Sequence, residues 1–116
     1  MFGLKHAING LVELIKNERN ARFHLVSTAV VIYVGWKVGF EASEWLWISL
    51  AVAGVWVAEL LNTSLERITD LVSPEQNELA KKAKDYAAGA VLMMALWAII
   101  VFLIIALPRL LLNLML

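Results

Sequence analysis

Four acidic or amide side chains follow an apolar stretch at helical spacing: Glu59, Asn62, Glu66 and Asp70, separated by three, four and four residues. At 100° per residue this spacing puts all four on one face of a helix, with leucines and small residues on the others. Carboxylates lined up in this way repel one another unless they share a cation or a proton. A carboxylate at membrane depth is also costly, and by default it marks a functional site. Two or more of them, with waters and phosphate oxygens, make a hard-oxygen site suited to Mg²⁺. A single buried Asn or Glu equally serves as glue between helices, hydrogen-bonding a neighbour. Four on one stripe are harder to assign to glue.

Two more polar clusters fall at the same depth. Asn17-Glu18-Arg19-Asn20-Ala21-Arg22-Phe23-His24 precedes the first apolar segment, and Lys81-Lys82-Ala83-Lys84-Asp85 precedes the last. A lysine beside carboxylates supplies the charge that phosphate groups need. Metal ligands, phosphate clamp and general base are together the parts of a phosphoryl-transfer site. Taken alone, the basic run also reads as a solvated flank. Neither a GxxxxGK[ST] loop nor a kinase Gly-rich loop with an HRD sequence occurs, so a bound nucleotide would sit on a fold unrelated to soluble kinases. His6 and His24 lack partners at metal-ligand spacing, which argues against zinc. Cysteine is absent, which excludes disulfides, thiolate metal sites and cysteine catalysis.

The elements that must position these groups are membrane elements. Of 116 residues, 61% are hydrophobic and 17% charged, and mean hydropathy is +0.75. Soluble domains are roughly half apolar and about a quarter charged. Formal net charge is zero, so no basic field points to nucleic acid. The length suits one domain, 1–116. Within 1–21, Leu4, Ile8, Leu11, Val12 and Ile15 form a helical stripe with Lys5, Asn9, Glu13 and Lys16 off it. Such a helix lies in a membrane interface or packs on soluble protein, and the rest of the chain favours the interface. With these polar interruptions the N-terminus does not look like a cleaved signal peptide. Residues 22–41, 45–72 and 84–108 read as three transmembrane helices. Gly39 and the residues after it turn the first into the second, Trp45 and Trp47 form an aromatic belt, and Ser73-Pro74-Glu75 is a turn before a helix start. Ala87-Ala88-Gly89-Ala90 allows close helix approach. The leucine-rich tail after Arg109 suggests no role.

Lys5, Lys16, Arg19, Arg22, Arg67, Lys81, Lys82 and Lys84 fall on one side of the membrane, and Lys37 and Arg109 on the other. The positive-inside rule puts the N-terminus in the cytoplasm.

On these residues the chain resembles the prokaryotic membrane lipid kinases, the family of bacterial diacylglycerol kinase and undecaprenol kinase. The resemblance rests on Phe2…Lys5-His6-Ala7…Gly10-Leu11 and Glu18-Arg19-Asn20-Ala21-Arg22-Phe23-His24. It rests further on Glu59-Leu60-Leu61-Asn62-Thr63-Ser64-Leu65-Glu66…Asp70 and Ala83-Lys84-Asp85…Ala88-Gly89-Ala90-Val91. It implies an all-α integral membrane protein of the bacterial plasma membrane, with an amphipathic surface helix and three transmembrane helices per subunit of a homotrimer. Sites would be shared between subunits. The implied activity is ATP-dependent phosphorylation of a lipid alcohol, with Mg²⁺ as cofactor. The E-R-N…R…H pattern leans to undecaprenol, and diacylglycerol is the alternative. By the same resemblance Glu59 is the general base, with Asn62 supporting it. Glu18 and Glu66 are metal ligands. Lys84 and Asp85, with Glu75 and Asn77, contact the nucleotide, and Asn20 and Arg22 line the approach of lipid and phosphate. Two departures stand out: the N-terminal extension of Gram-negative diacylglycerol kinases is missing, and Ala21 occupies a position that is aromatic in many undecaprenol-type relatives.

A small proton-coupled transporter using Glu59 is the competing reading, but it would need a midplane acid and usually four spans. A non-catalytic trimeric scaffold is the third, and the intact polar set speaks against it.

Overall fold

The computed structural model describes residues 2–116; Met1, the first residue of the expected surface helix, lies outside the described residues. Four helices follow in order: α1 (Phe2–Asn17), α2 (Arg19–Val38), α3 (Ala42–Val72) and α4 (Glu78–Met115). The fold is all-helical, as expected. Their ends differ from the sequence reading in instructive ways.

α1 stops at Asn17 rather than 21 because Glu18 takes an extended conformation (φ −111°, ψ 121°). One residue thus separates α1 from α2. Arg22 makes the break tolerable by donating through Nη1 to the carbonyls of Ile15 (3.2 Å) and Lys16 (2.8 Å), which the end of α1 leaves unpaired. The α1 stripe is not packed on protein: Leu4, Ile8, Leu11 and Val12 are exposed, whereas Leu14 is buried.

α2 ends at Gly39, whose left-handed backbone (φ 79°) is open to glycine at no steric cost. α3 begins at Ala42, three residues before Trp45, because Glu41 and Glu44 form a reciprocal capping box. α4 begins at Glu78, six residues before the expected 84. Asn77 caps it, its side chain accepting from the Ala80 N–H at 2.8 Å. The helix then runs through Pro108 to Met115. Arg109 anchors this extension, donating to Glu44 through Nε (3.3 Å) and Nη2, and through Nη1 to the Gly39 carbonyl at 3.2 Å.

By length and composition α3 and α4 are long and apolar enough to cross a membrane. α2, with Arg19, Arg22, His24 and Lys37 in its 20 residues, is more polar. At 1.5 Å per residue, α3 is about 46 Å long and α4 about 57 Å, against a hydrocarbon core of roughly 30 Å. Both therefore have length to project beyond a bilayer.

α3 and α4 share the longest interface. The core is Phe40, Ile48, Ala51, Val101 and Ala106, at the end of the molecule that holds the α2–α3 turn. Gly35 of α2 is buried beside it. A Cβ there would lie 2.5 Å from Trp45 Cη2 and 2.6 Å from Phe40 Cδ2, two rings that already meet edge to face at 5.2 Å. Gly35→Ala gains up to about 1 kcal/mol of helix propensity but overpacks rigid rings, which costs about 1–3 kcal/mol. The overpacking wins, so equilibrium unfolding in detergent should give a net loss of stability; a gain would mean that Trp45 moves aside freely. At Gly54 the atom in the way is the flexible Met94 methyl end, so Gly54→Ala should be tolerated.

Candidate functional site

The stripe on α3 changes character along its length. Glu59 and Asn62 are buried, at 2% and 8% exposure; Glu66 is half-buried and Asp70 is exposed. Taking Trp45 as the outer boundary, Glu59 lies about 21 Å along the helix and Glu66 about 32 Å. The stripe thus leads from an apolar interior to the edge that a bilayer would have.

Glu59 and Asn62 are incompletely satisfied. Glu59 Oε2 and Asn62 Oδ1 are buried without a hydrogen-bond partner. Natural proteins leave few such atoms, so each calls for an explanation. Asn62 Nδ2 is used: it donates to Glu66 Oε1 at 3.0 Å. Near Glu59 Oε2 the structure brings His24 Nε2 of α2 to 3.4 Å, without hydrogen-bond alignment.

Glu18 reaches the same stretch of α3 from the α1–α2 break. Its Oε1 lies 3.6 Å from Arg67 Nη2, which also meets Glu13 Oε1 at 3.3 Å. Arg67 is the chain neighbour of Glu66, so Glu18 meets α3 one residue from the other expected metal ligand. Among the described residues no three His, Asp or Glu side chains gather closely enough to hold an ion by themselves. Mg²⁺ does not require that, since it is usually held by one or two carboxylates plus waters and phosphate oxygens. Glu66, the unpaired Asn62 Oδ1 and Glu18 are hard oxygen donors of this kind. The residues fit the ion.

Beyond Asp70 lies a polar pocket of about 290 Å³ lined by Asp70, Ser73, Gln76, Asn77, Lys81, Lys84 and Asp85. Lys84 Nζ pairs with Asp70 Oδ1 from α4 to α3, and Lys81 Nζ with Asp85 Oδ2 at 2.7 Å one turn along α4. Both pairs are substantially exposed, worth about 0–1 kcal/mol each, and so are cheap to exchange for a phosphate. Asn77 lines the pocket while capping α4 and donating to Ser73 Oγ at 2.7 Å. Glu75 is exposed and not part of the lining; Gln76, not singled out from the sequence, is. Asn20 is exposed, and Arg22 is engaged on the α1 carbonyls.

On the other side of Glu59, α2, α3 and α4 enclose an apolar cleft of about 220 Å³, lined by His24, Ser27, Thr28, Val55, Ala98 and Phe102 among others. Sequence reasoning did not anticipate it, because its walls come from three helices and carry no motif. Along α3 the order is therefore apolar cleft, buried carboxylate, amide and carboxylate, then polar pocket. Such an arrangement suits an apolar alcohol meeting a polyanion at a base.

The family model for prokaryotic diacylglycerol kinase matches residues 5–106. The chain is 41% identical over 105 residues to the undecaprenol kinase of Bacillus subtilis (strain 168), covering 90% of this chain and 85% of that one. It is 38% identical over 112 residues to a diacylglycerol kinase of Synechocystis sp., covering 96% of this chain and 64% of that one. To the diacylglycerol kinase of Escherichia coli (strain K12) it is 27% identical over 89 residues, covering 77% of this chain and 73% of that one. These relatives are kinases, and the transporter reading finds no support among them.

Proposed function

We propose that this chain, a lipid kinase that belongs to the prokaryotic diacylglycerol kinase family, transfers the γ-phosphoryl group of ATP to undecaprenol from within a bacterial plasma membrane. The observation that carries this reading is Glu59, buried between an apolar cleft and a polar pocket. The lipid alcohol lies with the first part of its chain in the cleft, the rest in the surrounding bilayer, and its hydroxyl at Glu59. The carboxylate accepts the hydroxyl proton while the oxygen attacks the γ-phosphorus, and the bond to the β–γ bridging oxygen breaks to release ADP. Asn62 holds Glu66 in place and keeps Oδ1 available to the polar end of the site. Lys84 exchanges Asp70 for phosphate oxygens and offsets their charge. Asp85, Asn77 and Glu75 are the nucleotide side of the pocket, and Asn20 and Arg22 the approach beside Glu18. Glu18 and Glu66 are the residues that would hold Mg²⁺, which supplies neutralising charge to the phosphates when bound.

α1 lies in the interface on its exposed leucines, α2 to α4 all cross the membrane, and the N-terminus is cytoplasmic. Three copies assemble with sites shared between them. A groove of about 350 Å³ supports this: Gly54, Ala58, Ala87 and Ala90 line it beside Asn62, leaving the site open toward a neighbouring helix.

Purified protein with γ-labelled ATP and Mg²⁺, offered undecaprenol and diacylglycerol side by side, should label undecaprenol at least about tenfold faster, a difference of about 1.4 kcal/mol in barrier. Preferential label in diacylglycerol would transfer the reading to the substrate named for the Synechocystis relative. Label in neither would overturn it. The mass of the complex in detergent gives the copy number.

A further inference from the structure

A carboxylate taken out of water needs donors, since an unpaired buried charge costs several kcal/mol. Glu59 Oε2 has none aligned with it, and among the described residues the one basic side chain within 4 Å of it is His24, at 3.4 Å across the α2–α3 interface. His24 is held firmly. Its ring meets Trp56 edge to face at 6.4 Å and Phe23 at 5.9 Å. Trp56 Nε1 donates to Thr28 Oγ1 at 3.1 Å, and Thr28 Oγ1 in turn donates to the His24 carbonyl at 2.7 Å. Trp56 sits one helical turn before Glu59, so the residue that packs on the imidazole belongs to the same stretch of α3 as the carboxylate. The imidazole also lines the apolar cleft. His24 therefore stands where the chain of a bound lipid ends and the base begins.

We propose that His24 is a positioning residue for Glu59: its Nε2–H supplies the donor that Oε2 lacks and aims the carboxylate at the hydroxyl of a lipid in the cleft. The proposal rests on the reading of Glu59 as the base. Contacts of this kind are often long and poorly aligned before substrate binds, and they tighten in the reactive complex. During transfer the hydroxyl proton goes to Glu59, the O–P bond forms as the bond to ADP breaks, and His24 keeps its own proton. Partners that orient a reacting group in other sites are worth about 10–100-fold in activity.

A purely packing histidine predicts something else, and two variants separate the cases. His24→Phe keeps a ring against Trp56 and Phe23 but removes the donor; His24→Gln restores an N–H near the position of Nε2. His24→Phe should lower kcat about 10–100-fold with the KM for ATP unchanged, and His24→Gln should recover most of that loss. Wild-type kcat in the Phe variant, or equal loss in both, would overturn the proposal. A second measurement needs no turnover. The chain has two histidines, so in protein labelled with ¹⁵N-histidine the His24 ring resonances can be followed separately from those of His6. Glu59→Gln should shift His24 and leave His6 in place. An unmoved His24 overturns the proposal even if the lipid assay is silent, whereas inactive wild-type protein with a shifted His24 would sink the kinase reading and leave the His24–Glu59 contact standing.

Discussion

Glu59→Gln should cut lipid phosphorylation by about 10²–10⁴-fold, the range that a positioned general base contributes, and leave ATP binding intact. Glutamine matches the volume of glutamate, so the packing between α2 and α3 survives. It also removes a charge from a position that is 2% exposed and has an unpaired oxygen. Neutralising a buried oxygen that has no hydrogen-bond partner relieves its desolvation cost, so the melting temperature should hold or rise. Loss of turnover without loss of stability then locates the defect in chemistry. The polar pocket lies about 16 Å further along α3, counted from Glu59 to Asp70, too far for the change to disturb the nucleotide contacts made there. Turnover with labelled ATP, fluorescent-nucleotide binding and a thermal melt on the same preparation make the check. More than about a tenth of wild-type turnover, well above the range for a lost general base, or parallel loss of nucleotide binding, would remove Glu59 from the role of base.

The α3 stripe is legible in the sequence because helical periodicity is local: residues three and four apart must share a face whatever the rest of the chain does. Gly39 is legible for the same reason, being a residue suited to a left-handed turn. Contacts that depend on distant partners are not. No local pattern pairs His24 with Glu59, 35 positions apart, or Arg109 with Glu44, 65 apart. The break at Glu18 carries no Gly or Pro; it depends on Arg22 reaching back to carbonyls of α1, a choice made in three dimensions. α4 starts early because Asn77 caps it, accepting from the Ala80 N–H, a bond that its place in a polar stretch does not announce. It continues through Pro108 because the Arg109 clasp holds the next turn in place. Burial along the stripe is likewise a tertiary outcome. Spacing makes Glu59 and Asp70 equivalent, and packing makes one a buried group and the other a surface ion pair.

That difference sets the second large effect. Glu66→Gln should raise the Mg²⁺ concentration needed for half-maximal activity at least about tenfold, equivalent to about 1.4 kcal/mol, and lower kcat/KM for ATP by about 10²–10³-fold, as losing one electrostatic contact to a transferring group does. Glu66 is half-buried, one oxygen already accepts from Asn62, and Asn62 Oδ1 has no donor of its own. The glutamine amide can accept the same bond while offering no charge to a cation. Asp70→Asn is the control that decides what the charge is for. It removes the same unit charge one turn further out, where Asp70 is exposed and already paired with Lys84. If the acidic face acts as a diffuse field that concentrates cations, both variants should shift the Mg²⁺ titration alike, and both shifts should shrink in salt as screening grows. If Glu66 contacts the ion, its variant alone shifts the titration, and salt at about 0.5 M leaves most of that shift in place. Equal titrations for the two variants would remove Glu66 from the metal site and leave the stripe as an electrostatic funnel.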